Sequence, residues 1–181
     1  MIRYFYLCIL ALGFVSNTQA HPHSHVEQQA LLYIGLYKLV LNIRIVPSYV
    51  EGAEIYAHID TDMNGLVSDR EASNFGRSIL EDVTILVDGE QVSFFTPVVS
   101  IPDLQSINSG FGMIELETSV DIQLTDQRQH KLSFAIGYQE FANDWFIQPF
   151  YFPDLNETIP NKRLERSHTD HSVMLTLTPS N

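Results

Sequence analysis

Cysteine is almost missing from this chain: of its 181 residues only Cys8 is one, and it lies inside the first apolar run. The remainder can build no disulfide, no C-x-x-C zinc site and no cysteine nucleophile. Basic residues are scarce too. Ten Lys and Arg stand against 22 Asp and Glu, for a formal charge of −12. An acidic surface of this kind excludes the usual recruitment of nucleic acid or anionic membrane, which depends on Lys and Arg. After Ala20 no apolar run approaches the ~20 residues that cross a bilayer, so no membrane span is expected there. The chain also lacks a G-x-S-x-G elbow, an H-E-x-x-H helix and any internal repeat. With the common nucleophile and zinc-hydrolase signatures missing, the expectation is a protein that is not an enzyme.

The amino terminus reads differently from the rest. Arg3 precedes an apolar run from Tyr4 to Val15, and Ser16 to Ala20 are small or polar. A basic start, a short hydrophobic stretch and a small-residue exit read as a signal peptide over residues 1–20, cleaved after Ala20. Loss of Arg3 would take the charge from −12 to −13. The expected location is periplasmic or secreted. Asn156-Glu157-Thr158 is a glycosylation sequon, relevant only in a eukaryotic secretory route.

The most informative segment runs from Asp60 to Glu71: Asp-Thr-Asp-Met-Asn-Gly-Leu-Val-Ser-Asp-Arg-Glu. It fits the EF-hand pattern D-x-[DN]-x-[DN]-G-x5-E at every defined position. Ca²⁺ is a hard cation that collects several oxygen ligands. Asp60, Asp62 and Asn64 would give side-chain oxygens, Leu66 its backbone carbonyl, Ser68 a hydroxyl or a bound water, and Glu71 both carboxylate oxygens. Gly65 falls where the loop turns sharply and a Cβ is costly. The competing reading is a solvated acidic turn before a helix. Only one such loop is present, so Val67 has no partner strand from a second hand. The affinity expected is that of extracellular modules, about 10⁻⁴–10⁻³ M.

Histidine supplies a second candidate. His21, His23 and His25 alternate at the expected new terminus. A terminal amine and imidazoles can chelate Ni²⁺, Co²⁺, Cu²⁺ or Zn²⁺. Pro22 has no amide proton, which blocks the square-planar chelate built on successive deprotonated amides. The alternative is a solvated leader that holds metal weakly. His168 and His171 could form another such site or lie in a polar loop. His58 is expected on a helix surface and His130 in a hairpin turn. Trp145, Phe146, Phe150, Tyr151 and Phe152 could line a ligand groove, although such clusters more often pack a core.

The pattern along the chain divides it into a His-rich flexible leader over 21–30 and a single domain over 31–181. Tyr37 to Ile45 alternates as a strand. Ser48-Tyr49-Val50-Glu51 and Ser68-Asp69-Arg70-Glu71 are capping boxes, opening a short helix and a second helix to about Glu81. These helices and their loop form an EF-hand-like insertion at about 48–82. Val83–Val87 and Gln91–Phe95 flank Asp88-Gly89 as a hairpin. Ile114 to Leu124 alternates, with Leu132 to Tyr138 as its expected hairpin partner. Asp144–Phe152 and Val173–Leu177 complete about seven strands, an antiparallel β-sandwich in a mainly β fold.

His21-Pro22, a strand, a helix, an Asp-rich loop, a helix, and a strand ending in Val87-Asp88-Gly89 follow in that order. This succession resembles the extracytoplasmic domain of nickel/cobalt-type transporters and of the related hydrogenase/urease accessory permeases. The likeness spans residues 21–95 by motif and runs more loosely to Trp145. It implies metal handling outside the cytoplasm, with a membrane metal permease as partner. Family members continue into membrane helices; this sequence shows none before Asn181, so a stand-alone exported module is expected.

Overall fold

The computed structural model describes residues 25–126, 128–167 and 171–179. Their strands fall into two five-stranded, mostly antiparallel sheets. The chain opens with a hairpin of β1 (Glu27–Ile34) and β2 (Lys38–Val46). Next come α1 (Gly52–Ile59) and α2 (Asp69–Glu81), then β3 (Val83–Val87), β4 (Glu90–Gln91) and β5 (Val98–Ser100). A short helix α3 (Leu104–Asn108) leads to β6 (Ile114–Asp121), β7 (His130–Ile136) and β8 (Phe146–Tyr151). Helix α4 (Pro153–Thr158), β9 (Asn161–Ser167) and β10 (Ser172–Thr178) follow. The first sheet has the order β5-β6-β2-β1-β8 and the second β4-β3-β7-β10-β9.

Alternation drives the core. Leu39, Leu41, Ile43 and Ile45 of β2 are at most 1% exposed. Leu132, Phe134 and Ile136 of β7 and Val173, Leu175 and Leu177 of β10 are at most 2% exposed in the second sheet. These side chains join one hydrophobic cluster with Ile55, Ile59, Phe75 and Ile79 of the helix pair. Each such burial contributes about 1.5–3 kcal/mol. Helix α2 lies close against β5: a Cβ on Gly76 would stand 2.5 Å from the Val99 side chain. That approach seats the helix pair on the edge of the first sheet. Among the described residues no helix is long and apolar enough to cross a membrane.

Three expectations need correcting. The leader does not extend to residue 30. Glu27–Ala30 begin β1, which lies inside the first sheet between β2 and β8. Gln28 is 3% exposed, and its amide donates to the carbonyls of Ala142 and Asp144 at 2.9 and 3.2 Å. Hydrogen bonding makes a polar side chain tolerable at a buried position, so polarity there does not mark a solvated leader. The second correction concerns β6 and β7, which do not form a hairpin. Strand β6 pairs with β2 and β5, whereas β7 pairs with β3 and β10 in the other sheet. Both strands alternate cleanly, and alternation names a buried face without naming a partner. Third, β1 and β8 pair in parallel, since β8 returns to the first sheet after the chain has passed through the second. Strands β5 and β9 and helices α3 and α4 carry too few apolar residues in register to show in the sequence. Tyr37, where the alternating run was expected to begin, lies before β2 and is 63% exposed at the bend between β1 and β2.

The Asp88-Gly89 turn forms as expected. Asp88 and Gly89 take φ of 53° and 89°, the left-handed pair that a two-residue hairpin turn requires. Strand β4 is only two residues long, shorter than the Gln91–Phe95 arm read from the pattern.

Candidate metal-binding loop

Helix α1 ends at Ile59 and α2 begins after Ser68, so residues 60–68 must span the gap. The loop is built almost wholly from its own carboxylates accepting its own N–H groups. Asp60 takes Asn64 N on Oδ1 at 3.2 Å and Gly65 N on Oδ2 at 2.7 Å. Asp62 accepts from the Asn64 backbone and side-chain amides at 3.1 and 2.9 Å. Asn64 Oδ1 accepts from Leu66 N at 2.8 Å. Gly65 turns the chain with φ of 84°, where an L side chain would be strained.

Glu71 closes the loop from the first turn of α2. Its Oε1 accepts from Thr61 N, Thr61 Oγ1 and Asp62 N at 2.7, 2.9 and 3.2 Å. Its Oε2 accepts from Ser68 N and Ser68 Oγ at 2.9 and 2.8 Å. Ser68 is the N-cap of α2, and the capping box with Glu71 is complete in both directions. Hydrogen bonds from Ser68 (backbone, then hydroxyl) and from Thr61 pull the Glu71 carboxyl from its ordinary value down to about 2, against a smaller opposing effect of burial. The group is therefore ionised at any ordinary pH.

Ligand-type oxygens of Asp60, Asp62 and Glu71 lie within 4.8 Å of one another. Asp60 and Glu71 are 4% and 6% exposed. No Lys or Arg among the described residues pairs with any of the three. The donor set is all oxygen and carries three negative charges, which suits a hard divalent cation and not a thiophilic one. The residues present fit Ca²⁺ in kind and in number of charges. Ser68 Oγ is close to the group, and Leu66 points its side chain to solvent at 73% exposure.

Two contributors carried no signal in the sequence. Thr61 occupies an unrestricted motif position yet gives Glu71 two of its hydrogen bonds. Tyr56, in α1, donates its hydroxyl to the Gly65 carbonyl at 3.2 Å and braces the turn from below. Val67 has no strand partner among the described residues; it is half-buried against the core instead.

The histidines do not converge. His21 and His23 lie outside the described residues, as does His168. His25 is exposed just before β1. Among the described residues the loop carboxylates are the one group of three or more His, Cys, Asp or Glu poised for a metal. His171 has φ of 42° and stands 3.5 Å from Gln139 Nε2. His58 is half-exposed and packs edge-on against Phe75 and Phe141.

His130 is the largest surprise. It was expected in a turn, yet it is fully buried at the start of β7. Its Nδ1 is 2.8 Å from Asp88 Oδ2. Its Nε2 stands 3.1 Å from Asp126 Oδ1 but out of line for a hydrogen bond. Arg128 pairs with both Asp88 and Asp126, at 3.2 and 2.8 Å. Burial pushes the Asp88 carboxyl up, but the His130 hydrogen bond, the Lys131 N–H and attraction to His130 and Arg128 together hold it below its usual range. Trp145 belongs to the core and donates Nε1–H to the Tyr138 carbonyl at 2.6 Å, while Phe146 and Phe150 stay 57% and 42% exposed. Against known proteins, the chain matches no family model and no curated relative.

Proposed function

We propose that this chain is a non-catalytic, exported calcium-binding module: a mostly antiparallel β-sandwich with an EF-hand-like helix–loop–helix inserted between β2 and β3. One Ca²⁺ would be held by Asp60, Asp62, Asn64, Ser68, Glu71 and the Leu66 carbonyl. The observation that carries the reading is the close approach of three carboxylates with no basic partner among the described residues. Like charges so near one another repel, and a divalent cation removes that repulsion. When bound, the ion supplies charge neutralisation and ties α1 to α2. The protein side of the arrangement is prepared by the capping box, the Gly65 bend and the Tyr56 brace.

Export and kinship with transporter extracytoplasmic domains belong to the same proposal, with a membrane metal permease as the class of partner. They rest on residues 1–25 and on the order of motifs. The alternative, a carrier of nickel, cobalt or copper on His21, His23 and His25, draws its support from the same leader.

Calorimetric titration of Ca²⁺ into chelator-treated protein tests the proposal. One site is expected, abolished by Glu71→Gln. Absence of binding heat, together with a thermal midpoint that is the same in calcium and in chelator, would overturn it.

A further inference from the structure

A cleft of about 350 Å³ opens where β8, at one edge of the first sheet, meets β9 and β10 of the second. It shares no residue with the carboxylate loop. Its volume lies in the range of small-molecule sites, roughly 300–1,000 Å³. Three features of its lining belong to recognition chemistry. The wall is apolar and aromatic, with Trp145, Phe146 and Val173. Arg166 is pinned: one guanidinium nitrogen donates to the Ile147 carbonyl and another to Gln148 Oε1 at 3.2 Å. These bonds use two of its five N–H groups, and the fixed guanidinium fork can offer the others to a carboxylate at little further entropic cost. Asp144 lines the same cleft, and its carboxylate has no hydrogen bond or ion pair among the described residues.

These charges select the ligand. A simple anion would find Arg166 but would also meet Asp144 and a surface of net charge −12. A simple cation would find Asp144 but meet Arg166. A molecule with both charges and an apolar body answers Arg166, Asp144 and the aromatic wall together, while Ser167, His171 and Ser172 complete the lining. We propose that this cleft binds a small zwitterion with an apolar side chain, the chemistry of an aromatic or aliphatic amino acid. Its carboxylate sits on Arg166, its ammonium group on Asp144, and its side chain along Trp145 and Phe146. The indole that forms the floor is fixed by its own hydrogen bond to Tyr138, so the aromatic wall is in place before the ligand arrives.

Trp145 is the only tryptophan in the chain, so fluorescence excited selectively at tryptophan, beyond the absorption of the tyrosines, reports on this cleft. The full chain would be titrated with phenylalanine, phenylacetate and phenethylamine into the millimolar range. Phenylalanine is expected to give a saturable change and the two singly charged probes a weaker one. Arg166→Gln and Asp144→Asn should each weaken phenylalanine by at least ~10-fold, about 1.4 kcal/mol. Their far-UV circular dichroism should match the parent. Should Arg166→Gln fail to fold, Arg166→Lys, which keeps the charge but loses the fork, gives the same reading. Saturation-transfer NMR with phenylalanine covers a silent fluorophore. No saturable response by either method, an unchanged affinity in the Arg166 variants, or phenylacetate binding as tightly as phenylalanine would each overturn the proposal.

Discussion

The loop after α1 and the turn after β3 are both acidic bends. Each has an aspartate at its start and a glycine with positive φ, Gly65 at 84° and Gly89 at 89°. They differ in who answers the charge. Asp60, Asp62 and Glu71 are met by backbone amides, hydroxyls and one side-chain amide, all neutral donors. Asp88 is met by the His130 ring, by Arg128 and by the Lys131 amide. One cluster is neutralised from within the fold, and the other keeps its charge. On the proposed calcium-binding reading, this difference is what separates a structural carboxylate from one that takes a ligand. Counting acidic residues would not, because Asp88 and Asp126 also lie near one another around His130.

The largest test of that contrast is calcium itself. At a free concentration about 100 times the dissociation constant, one site adds about 2.7 kcal/mol. For a chain of this size that corresponds to a rise of roughly 5–10 °C in thermal midpoint. Glu71→Gln or Asp60→Ala should remove the rise, so that calcium and chelator give the same midpoint, itself lowered by the loop hydrogen bonds that each variant loses. Equal midpoints for the parent with and without calcium would erase the distinction between the two bends.

His130→Leu probes the other bend. It keeps much of the volume but leaves Asp88 without its closest side-chain partner, at a cost of about 1–3 kcal/mol. That loss should be the same in calcium and in chelator, measured by urea denaturation. A calcium-dependent loss would mean that the two clusters are coupled.

Acid sharpens the comparison further. The folded state holds Asp88 below its unfolded value, near ~3.9. Its carboxylate therefore contributes stability above that pH and loses the contribution as pH falls lower. Asp88→Asn should be destabilising at pH 6 and nearly neutral at the acid end of the transition. A penalty independent of pH would show that the Asp88 interactions do not depend on its charge.

The smallest effect is expected at Ser68→Ala. Loss of the N-cap costs about 1 kcal/mol of helix stability. Because Ser68 also touches Glu71, calcium affinity should weaken as well, and titration of the variant reads both. Full affinity with reduced stability would confine Ser68 to its capping role.

Much of the loop was readable in advance because its bonds are local. The Asp, Asn, Gly and Glu spacing, the capping box at Ser68 and the left-handed Gly65 all depend on residues a few positions apart. The same holds for the Asp88-Gly89 turn and for the inward faces of β2, β6, β7 and β10. His130 and Gln28 were misplaced for the opposite reason. Polar side chains are buried only when distant groups satisfy them, and Asp88 and Ala142 lie 42 and 114 residues away.

From the sequence alone came a mainly β chain, an acidic surface, the Ser68 cap of α2 and one oxygen-rich loop. These follow from composition, period and short-range hydrogen bonding. The Ser48–Glu51 box expected to cap α1 instead lies before it, since α1 begins at Gly52 with Glu51 as an N-cap that makes no side-chain cap bond. Tertiary structure decided which strands pair, that β6 and β7 part into different sheets, and that β1 and β8 run parallel. It also brought Arg166, Asp144 and Trp145 onto one cleft and left the loop carboxylates without a basic neighbour among the described residues. Those outcomes depend on contacts between segments far apart in the chain, where every apolar face can bury against several others and only the whole packing selects among them.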